Sequence, residues 1–187
     1  MEILTRVELQ LRETEIIRKI KQGAVFIHPT DTIYGLGCSA LQDAAVNKIR
    51  KLKDRPVAPF SIWVPSRAWI QKNCILTAKA EKWLQKLPGP YTLILKLKSN
   101  SIAKSVAPGR STIGIRWPEH WFSQIVEKAA IPIVTTSANK SGQPFMIALE
   151  NLDPAIEQEV EFMIYEGEKD ARPSTILDVE TEEMKAR

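Results

Sequence analysis

Short apolar runs alternate with helical periodicity along the whole chain, and this alternation restricts the fold more than any other feature. Ala24-Val25-Phe26-Ile27 reads as a short buried strand, as do Phe60 to Val64, Ile131 to Thr135 and Val160 to Tyr165. Tyr91, Leu93, Leu95 and Leu97 alternate with Lys96 and Lys98, the pattern of a half-exposed strand. Thr112 to Trp117 and Thr175 to Val179 complete the strands. Helices lie between them. The first spans Thr5 to Gln22, with Thr5 and Glu8 at capping-box spacing, Leu9, Ile16 and Ile20 on one face, and Gly23 as its stop. Asp43 to Leu52 buries Ala45, Ile49 and Leu52, and Trp121 to Ala130 forms another helix. Thr77 to Leu87 carries Ala80, Trp83, Leu84 and Leu87 on one face and ends at Pro88-Gly89-Pro90. Strands and helices in this order predict an α/β fold in layers. At 187 residues the chain suits a single domain, residues 1–187.

Composition removes several function classes. Lys plus Arg is 26 and Asp plus Glu is 22, so the formal net charge is 26 − 22 = +4. That surplus admits anionic partners without demanding them. The opening residues turn charged at once, so no signal peptide is expected, and no apolar run approaches a membrane span. Cys38 and Cys74 form no Cys-x-x-Cys pair, and His28 and His120 are the two histidines. A structural zinc site is therefore not expected, and reduced thiols in a cytoplasmic protein are.

Three segments depart from the strand-and-helix rhythm. Pro29 to Ala40 follows a buried strand and is dense in hydroxyls and glycines, which suits a loop approaching a ligand. Its Gly35-x-Gly37-x-x-Ala40 resembles a dinucleotide fingerprint. Pro29 to Tyr34 intervene where the strand should meet the first glycine, so that reading fails. No G-x-x-x-x-G-K-[ST] sequence is present. In the second segment, five of the eight residues 48–55 are cationic. Lys48 and Lys51 suit a solvated helix face. Lys53 and Arg55 lie where Pro56 stops the helix, and two apart in extended chain they would point together as a clamp for phosphate oxygens. The third segment, Thr135 to Pro144, again follows a buried strand. There Ser137, Asn139 and Ser141 alternate and would share a face if the chain is extended.

Taken in order, six short patterns resemble the YrdC-like family of threonylcarbamoyl-AMP synthases. They are Pro29-Thr30-Asp31-Thr32-Ile33-Tyr34-Gly35-Leu36-Gly37, Lys53-x-Arg55-Pro56, Gly89-Pro90-Tyr91-Thr92, Ile113 to Pro118, Ser137 to Gly142, and Ser174 to Asp178. The resemblance implies a YrdC-like twisted mixed β-sheet flanked by helices, with an open concave basic cleft. It implies a nucleotidyltransferase reaction in which L-threonine, bicarbonate or CO2, and ATP give threonylcarbamoyl-adenylate and pyrophosphate. It further implies that a separate transferase places the threonylcarbamoyl group on tRNA. Thr32, Arg116, Ser137 and Ser174 would hold threonine, with Arg116 pairing its carboxylate. Lys53, Arg55, Thr112 and Asn139 would hold ATP, with Lys53 and Arg55 closest to the chemistry. Tyr34 and Ser141 would line the pocket. Mg²⁺ would arrive with the ATP phosphates, no carboxylate cage being evident, and Asp31 is a candidate contact for it.

Departures from the family pattern fall at identifiable places. Val57-Ala58-Pro59-Phe60 is shorter and more apolar than usual, Trp63 falls near a position where the family often carries His, and Ile147 stands where Thr is common. The second, C-terminal domain of longer members is not expected, and Arg187 is matched to a late arginine near the nucleotide. The alternative function is a non-catalytic RNA- or tRNA-binding module of the same fold. A hydrogenase-maturation carbamoyltransferase is the other relative of this fold, in which zinc-finger and acylphosphatase-like segments would be expected. Direct tRNA binding is expected to be weak, no membrane partner is expected, and a monomer suits the size.

Overall fold

The structure, a computed structural model, describes residues 1–185, so Arg187 lies outside the described residues. Ten strands form one mixed sheet in the order β1-β8-β2-β3-β7-β4-β6-β5-β9-β10. In chain order the elements are β1 (Glu2–Leu4), α1 (Arg6–Leu11), α2 (Glu13–Lys21), β2 (Phe26–His28), β3 (Gly35–Ser39), α3 (Asp43–Leu52), β4 (Ser61–Trp63), α4 (Arg67–Asn73) and α5 (Ala78–Leu84). They continue with β5 (Tyr91–Lys96), β6 (Thr112–Arg116), α6 (Ser123–Ala129), β7 (Ile133–Ser137), α7 (Pro154–Glu159), β8 (Phe162–Ile164), β9 (Thr175–Asp178) and β10 (Met184–Lys185). The expected α/β class and mixed sheet are present.

Strand alternation divides the core in two. One face of the sheet carries Ile62, Leu93, Leu95, Ile113, Ile115 and Val134, packed against Val46 and Ile49 of α3, Ile70 of α4 and Leu84 of α5. The opposite face carries Phe26, Trp63, Ile133, Phe162 and Ile164, covered by Leu9, Ile16 and Ile20 and by Ile125 and Val126 of α6. The same parity that points Trp63 and Ile133 to this second face also puts Ser61, Thr92, Thr112, Gly114, Arg116, Thr135 and Ser137 on it. Here the face changes from apolar and covered to polar.

Several elements differ from their sequence reading. The single first helix is two helices, because Arg12 leaves the helical region (φ −113°, ψ 21°) and its guanidinium pairs with Glu2 and Glu15. Its Thr5–Glu8 capping box and its Gly23 stop (φ +97°) are present. The strand β1, the helices α4 and α7, and the terminal β10 carry too little periodicity in two to seven residues to be read from pattern. Helix α3 has the expected bounds.

The segment 29–40 is the largest correction. Gly35 to Ser39 is not loop but the fully buried strand β3, antiparallel to both β2 and β7. Its glycines serve packing. A Cβ on Gly35 would lie 2.5 Å from the His28 ring, and one on Gly37 would lie 2.8 Å from the Val134 carbonyl oxygen and 2.9 Å from His28. His28 is fully buried, stacked on Phe122 and edge-on to Trp63, and burial lowers its pKa to about 3, so it is a neutral ring in the core. Trp63 is another wall of this aromatic cluster, which explains its presence in a buried strand. Gly35→Ala is expected to cost about 1–3 kcal/mol in denaturant unfolding by overpacking. In a His28→Ala background the same substitution should cost clearly less. An equal cost in both backgrounds would show that the ring is not what the glycine accommodates.

Candidate active site

The carboxyl ends of β6 and β7 and the segment between β2 and β3 meet on the polar half of the second face. Arg116, at the end of β6, is 5% exposed. Its Nη2 donates to Asp31 Oδ1 at 2.5 Å and its Nη1 to Thr32 Oγ1 at 3.4 Å. Burial lowers the arginine's pKa, and the attraction of Asp31 opposes that shift. Asp31, considered from sequence as a metal contact, makes this ion pair through Oδ1. Thr30 organises the turn: its hydroxyl donates to the Ile33 carbonyl at 2.8 Å, accepts from the Thr32 amide and lies 3.0 Å from Thr32 Oγ1. This is the local side-chain-to-backbone bonding that hydroxyl residues favour in turns.

Thr32, Tyr34, Arg116, Ser137 and Ser174 line one narrow cavity. Ser174 is buried, and its hydroxyl lies 2.8 Å from Thr92 Oγ1. Tyr34 is a wall and also an anchor. Its hydroxyl donates to the Gly167 carbonyl at 2.6 Å and accepts from the Glu166 amide at 3.0 Å, and burial raises its pKa to about 12. The strap 166–173 is tied down again where Lys169 donates to the Thr30 carbonyl at 2.9 Å. Burial would raise the Glu166 pKa, but hydrogen bonds from His120, Lys169 and Trp121 hold it at about 2. None of Glu166, Lys169 or His120 stood out in the sequence, since their meeting depends on segments 46 residues apart.

A second cavity adjoins the first. It is lined by Lys53, Arg55, Thr136, Ser137, Asn139 and Ser141, so Thr136 and Ser137 belong to both walls. The extended Lys53–Arg55 clamp does not form. Lys53 caps α3 in helical geometry and Asp54 turns the chain with φ +49°. The Lys53 ammonium is buried and donates to the carbonyls of Ser137 and Asn139, each at 2.6 Å. The Arg55 guanidinium donates to the Pro59 carbonyl at 2.8 Å and lies over the Phe60 ring. Burial lowers its pKa. Ser137 and Asn139 do meet, with Ser137 Oγ 2.5 Å from Asn139 Oδ1, through a turn and not along an extended chain. Thr112 lines neither cavity; it lies on the same face of β6 as Arg116, half-buried, four residues away.

Arg50 is the residue that sequence reading missed here. It sits in the basic run but is 6% exposed. Its guanidinium donates to the carbonyls of Arg55 and Ala58 at 2.7 and 3.0 Å and to those of Ser105 and Val106 at 2.7 and 3.2 Å. It therefore fixes the path of the turn that carries Arg55. One signal was available: Arg50 follows Val46 by four residues and so shares its buried helix face. Among the described residues, no group of three or more His, Cys, Asp or Glu side chains could hold a metal ion. No described helix is long and apolar enough to cross a membrane.

Comparison with known proteins agrees with this geometry. The profile of the Sua5/YciO/YrdC family, described as "Telomere recombination", matches residues 18–186. A protein of Methanocaldococcus jannaschii is 36% identical over 170 residues, covering 89% of this chain and 80% of its own length. The threonylcarbamoyl-AMP synthase of mouse is 33% identical over 136 residues, covering 72% of this chain and 48% of the mouse protein. The crystal structure of P. abyssi Sua5 complexed with L-threonine superimposes with a TM-score of 0.82 at 27% identity, over 95% of this chain and 53% of that one. The chain thus spans about half the length of the mouse and P. abyssi proteins. A central mixed sheet with this site on its polar face, together with the profile match and the 36% identical relative, establishes that the chain belongs to the Sua5/YciO/YrdC family.

Proposed function

We propose that this chain is a threonylcarbamoyl-AMP synthase, joining L-threonine, bicarbonate or CO2, and ATP into threonylcarbamoyl-adenylate with release of pyrophosphate. The observation that carries the reading is the pair of adjoining cavities with Ser137 in both walls, one bearing the buried Arg116 and the other Lys53 and Arg55. Two substrates held side by side across one serine is the arrangement that a condensation requires. The names of its relatives support the same reading, as does the threonine in the P. abyssi complex.

The chemistry asks for positioning more than for a protein nucleophile. Threonine's amine adds to CO2 with loss of a proton, or condenses with bicarbonate with loss of water, to give a carbamate. A carbamate oxygen then attacks the α-phosphorus of ATP, and the bond to the bridging oxygen breaks to release pyrophosphate. In this reading Arg116 pairs with the threonine carboxylate, and Thr32, Ser137 and Ser174 supply hydroxyls around it. Lys53, Arg55 and Asn139 offset phosphate charge, and Thr112 contacts the nucleotide farther along the sheet face. Tyr34 and Ser141 are walls. The strap held by Tyr34 and Lys169 limits water near a hydrolysable carbamate.

Mg²⁺ accompanies ATP in this proposal, but the residues present do not form a cage for it. Among the described residues no three His, Cys, Asp or Glu side chains are grouped to hold a metal, and Asp31 already gives Oδ1 to Arg116. The remaining partners are read the same way. The product passes to a separate transferase acting on tRNA, direct contact with tRNA is weak, and residues 1–187 work as one domain, as a monomer, in the cytoplasm.

The direct test is incubation with ATP, Mg²⁺, bicarbonate and L-threonine. Pyrophosphate release is expected only when both threonine and bicarbonate are present, and release independent of either would overturn the reading. Lys53 has a second expected effect. Its two short bonds to carbonyls brace the Ser137–Asn139 turn, so Lys53→Met should lower unfolding stability by about 2–3 kcal/mol as well as lowering pyrophosphate release. Activity lost at unchanged urea stability would mean that the ammonium serves phosphate alone.

A further inference from the structure

The ion pair between Arg116 and Asp31 is incomplete in a specific way. It is made by one contact, Nη2 to Oδ1 at 2.5 Å, although both groups can pair by two parallel bonds. Arg116 Nε and Asp31 Oδ2 are both buried and have no hydrogen-bond partner. The side chains are 6% and 10% exposed. Each unsatisfied buried polar atom is costly to keep, and more so on a charged group. One donor on a cation and one acceptor on an anion are therefore left unused, on two side chains already in contact. Arg116 also lines the cavity shared with Thr32, Ser137 and Ser174.

A ligand that satisfies both atoms must carry an anionic acceptor and a cationic donor close together. An α-amino acid does so, since its carboxylate and ammonium are attached to the same carbon. The other carboxylate near this end of the sheet, Glu166, already accepts from His120, Trp121 and Lys169. We propose that Asp31 is the specificity-determining residue for the amino group: Arg116 takes the substrate carboxylate and Asp31 Oδ2 takes the ammonium beside it, so that the pair selects an α-amino acid over the corresponding hydroxy acid. This assignment rests on the threonine reading above and extends it to a residue that the resemblance did not place against threonine. It also gives Asp31 a part in the chemistry's geometry. Once the ammonium has passed a proton to bicarbonate or water, the amine left beside the carboxylate is presented for carbamate formation in one orientation.

The test compares L-threonine with 3-hydroxybutyrate, which keeps the carboxylate, the hydroxyl and the methyl group but lacks the amine. Calorimetric titration of the wild-type chain should give about ten- to hundredfold tighter binding of threonine, the range of a charge-assisted hydrogen bond. In Asp31→Asn that ratio should fall to about threefold or less, mostly through weaker threonine binding. Equal weakening of both ligands would overturn the proposal, because Asp31 would then only brace Arg116. If Asp31→Asn does not fold, Asp31→Glu carries the test, with threonine affinity expected to fall more than 3-hydroxybutyrate affinity and an equal change counting against it. Wild-type binding of neither ligand would overturn the threonine reading itself. Wild-type binding of both with equal affinity would overturn only the role of Asp31.

Discussion

Burial of a guanidinium at the end of a central strand is the constraint around which the site is organised. Arg116 sits on β6, whose neighbours β4 and β5 cover both of its edges, and on the polar half of the second sheet face. Removing a charge from water costs several kcal/mol unless it is paired and hydrogen-bonded. Asp31 answers that cost, and it can do so because the segment before β3 turns back across the ends of the strands. That turn needs the Thr30 hydroxyl to bond the Ile33 carbonyl. It also needs β3 to lie flat against β2 and β7, which the His28 ring permits because Gly35 and Gly37 have no side chains. The aromatic cluster of Phe26, His28, Trp63 and Phe122 thus borders the polar site on the same face of the sheet.

The sequence made the layers legible where an element was long enough to show a period. Helix α3 has its expected bounds, and the alternating strand at β5 is where Leu93 and Leu95 place it. Elements of three to seven residues, such as β1, α4 and α7, were not legible because one turn or two strand pairs hold too few apolar positions to reveal a period. The error at β3 had a different cause. Glycine in a strand means either loop or close packing, and only the position of the His28 ring distinguishes them. The site residues were found by resemblance, and the fold brings Thr32, Tyr34, Arg116, Ser137 and Ser174 around one cavity. Arg50 was passed over because a charge in a basic run reads as solvated, whereas its face is set by Val46 one turn earlier.

The geometry of Lys53 separates two ideas that a motif merges. A lysine and an arginine two residues apart suggest a matched clamp. Here the positive-φ turn at Asp54 rotates them apart, and the lysine becomes a brace across the chain to the end of β7. The motif therefore records a fold requirement and a chemical one at once. The arginine's turn is fixed by Arg50, and the lysine's turn fixes Asn139.

The net charge of +4 is unevenly neutralised, and the unevenness has a meaning that the total does not. Arg50, Lys53 and Arg116 are all buried. Arg116 faces a carboxylate, so its cavity is close to electrically neutral. Backbone carbonyl oxygens, which are dipoles without net charge, hold Arg50, and they hold Lys53 at its shortest contacts. Those contacts satisfy the hydrogen-bonding groups of both side chains. Two unlike ways of burying a cation thus stand in one fold: Arg116 beside the carboxylate of Asp31, and Arg50 among backbone carbonyl oxygens.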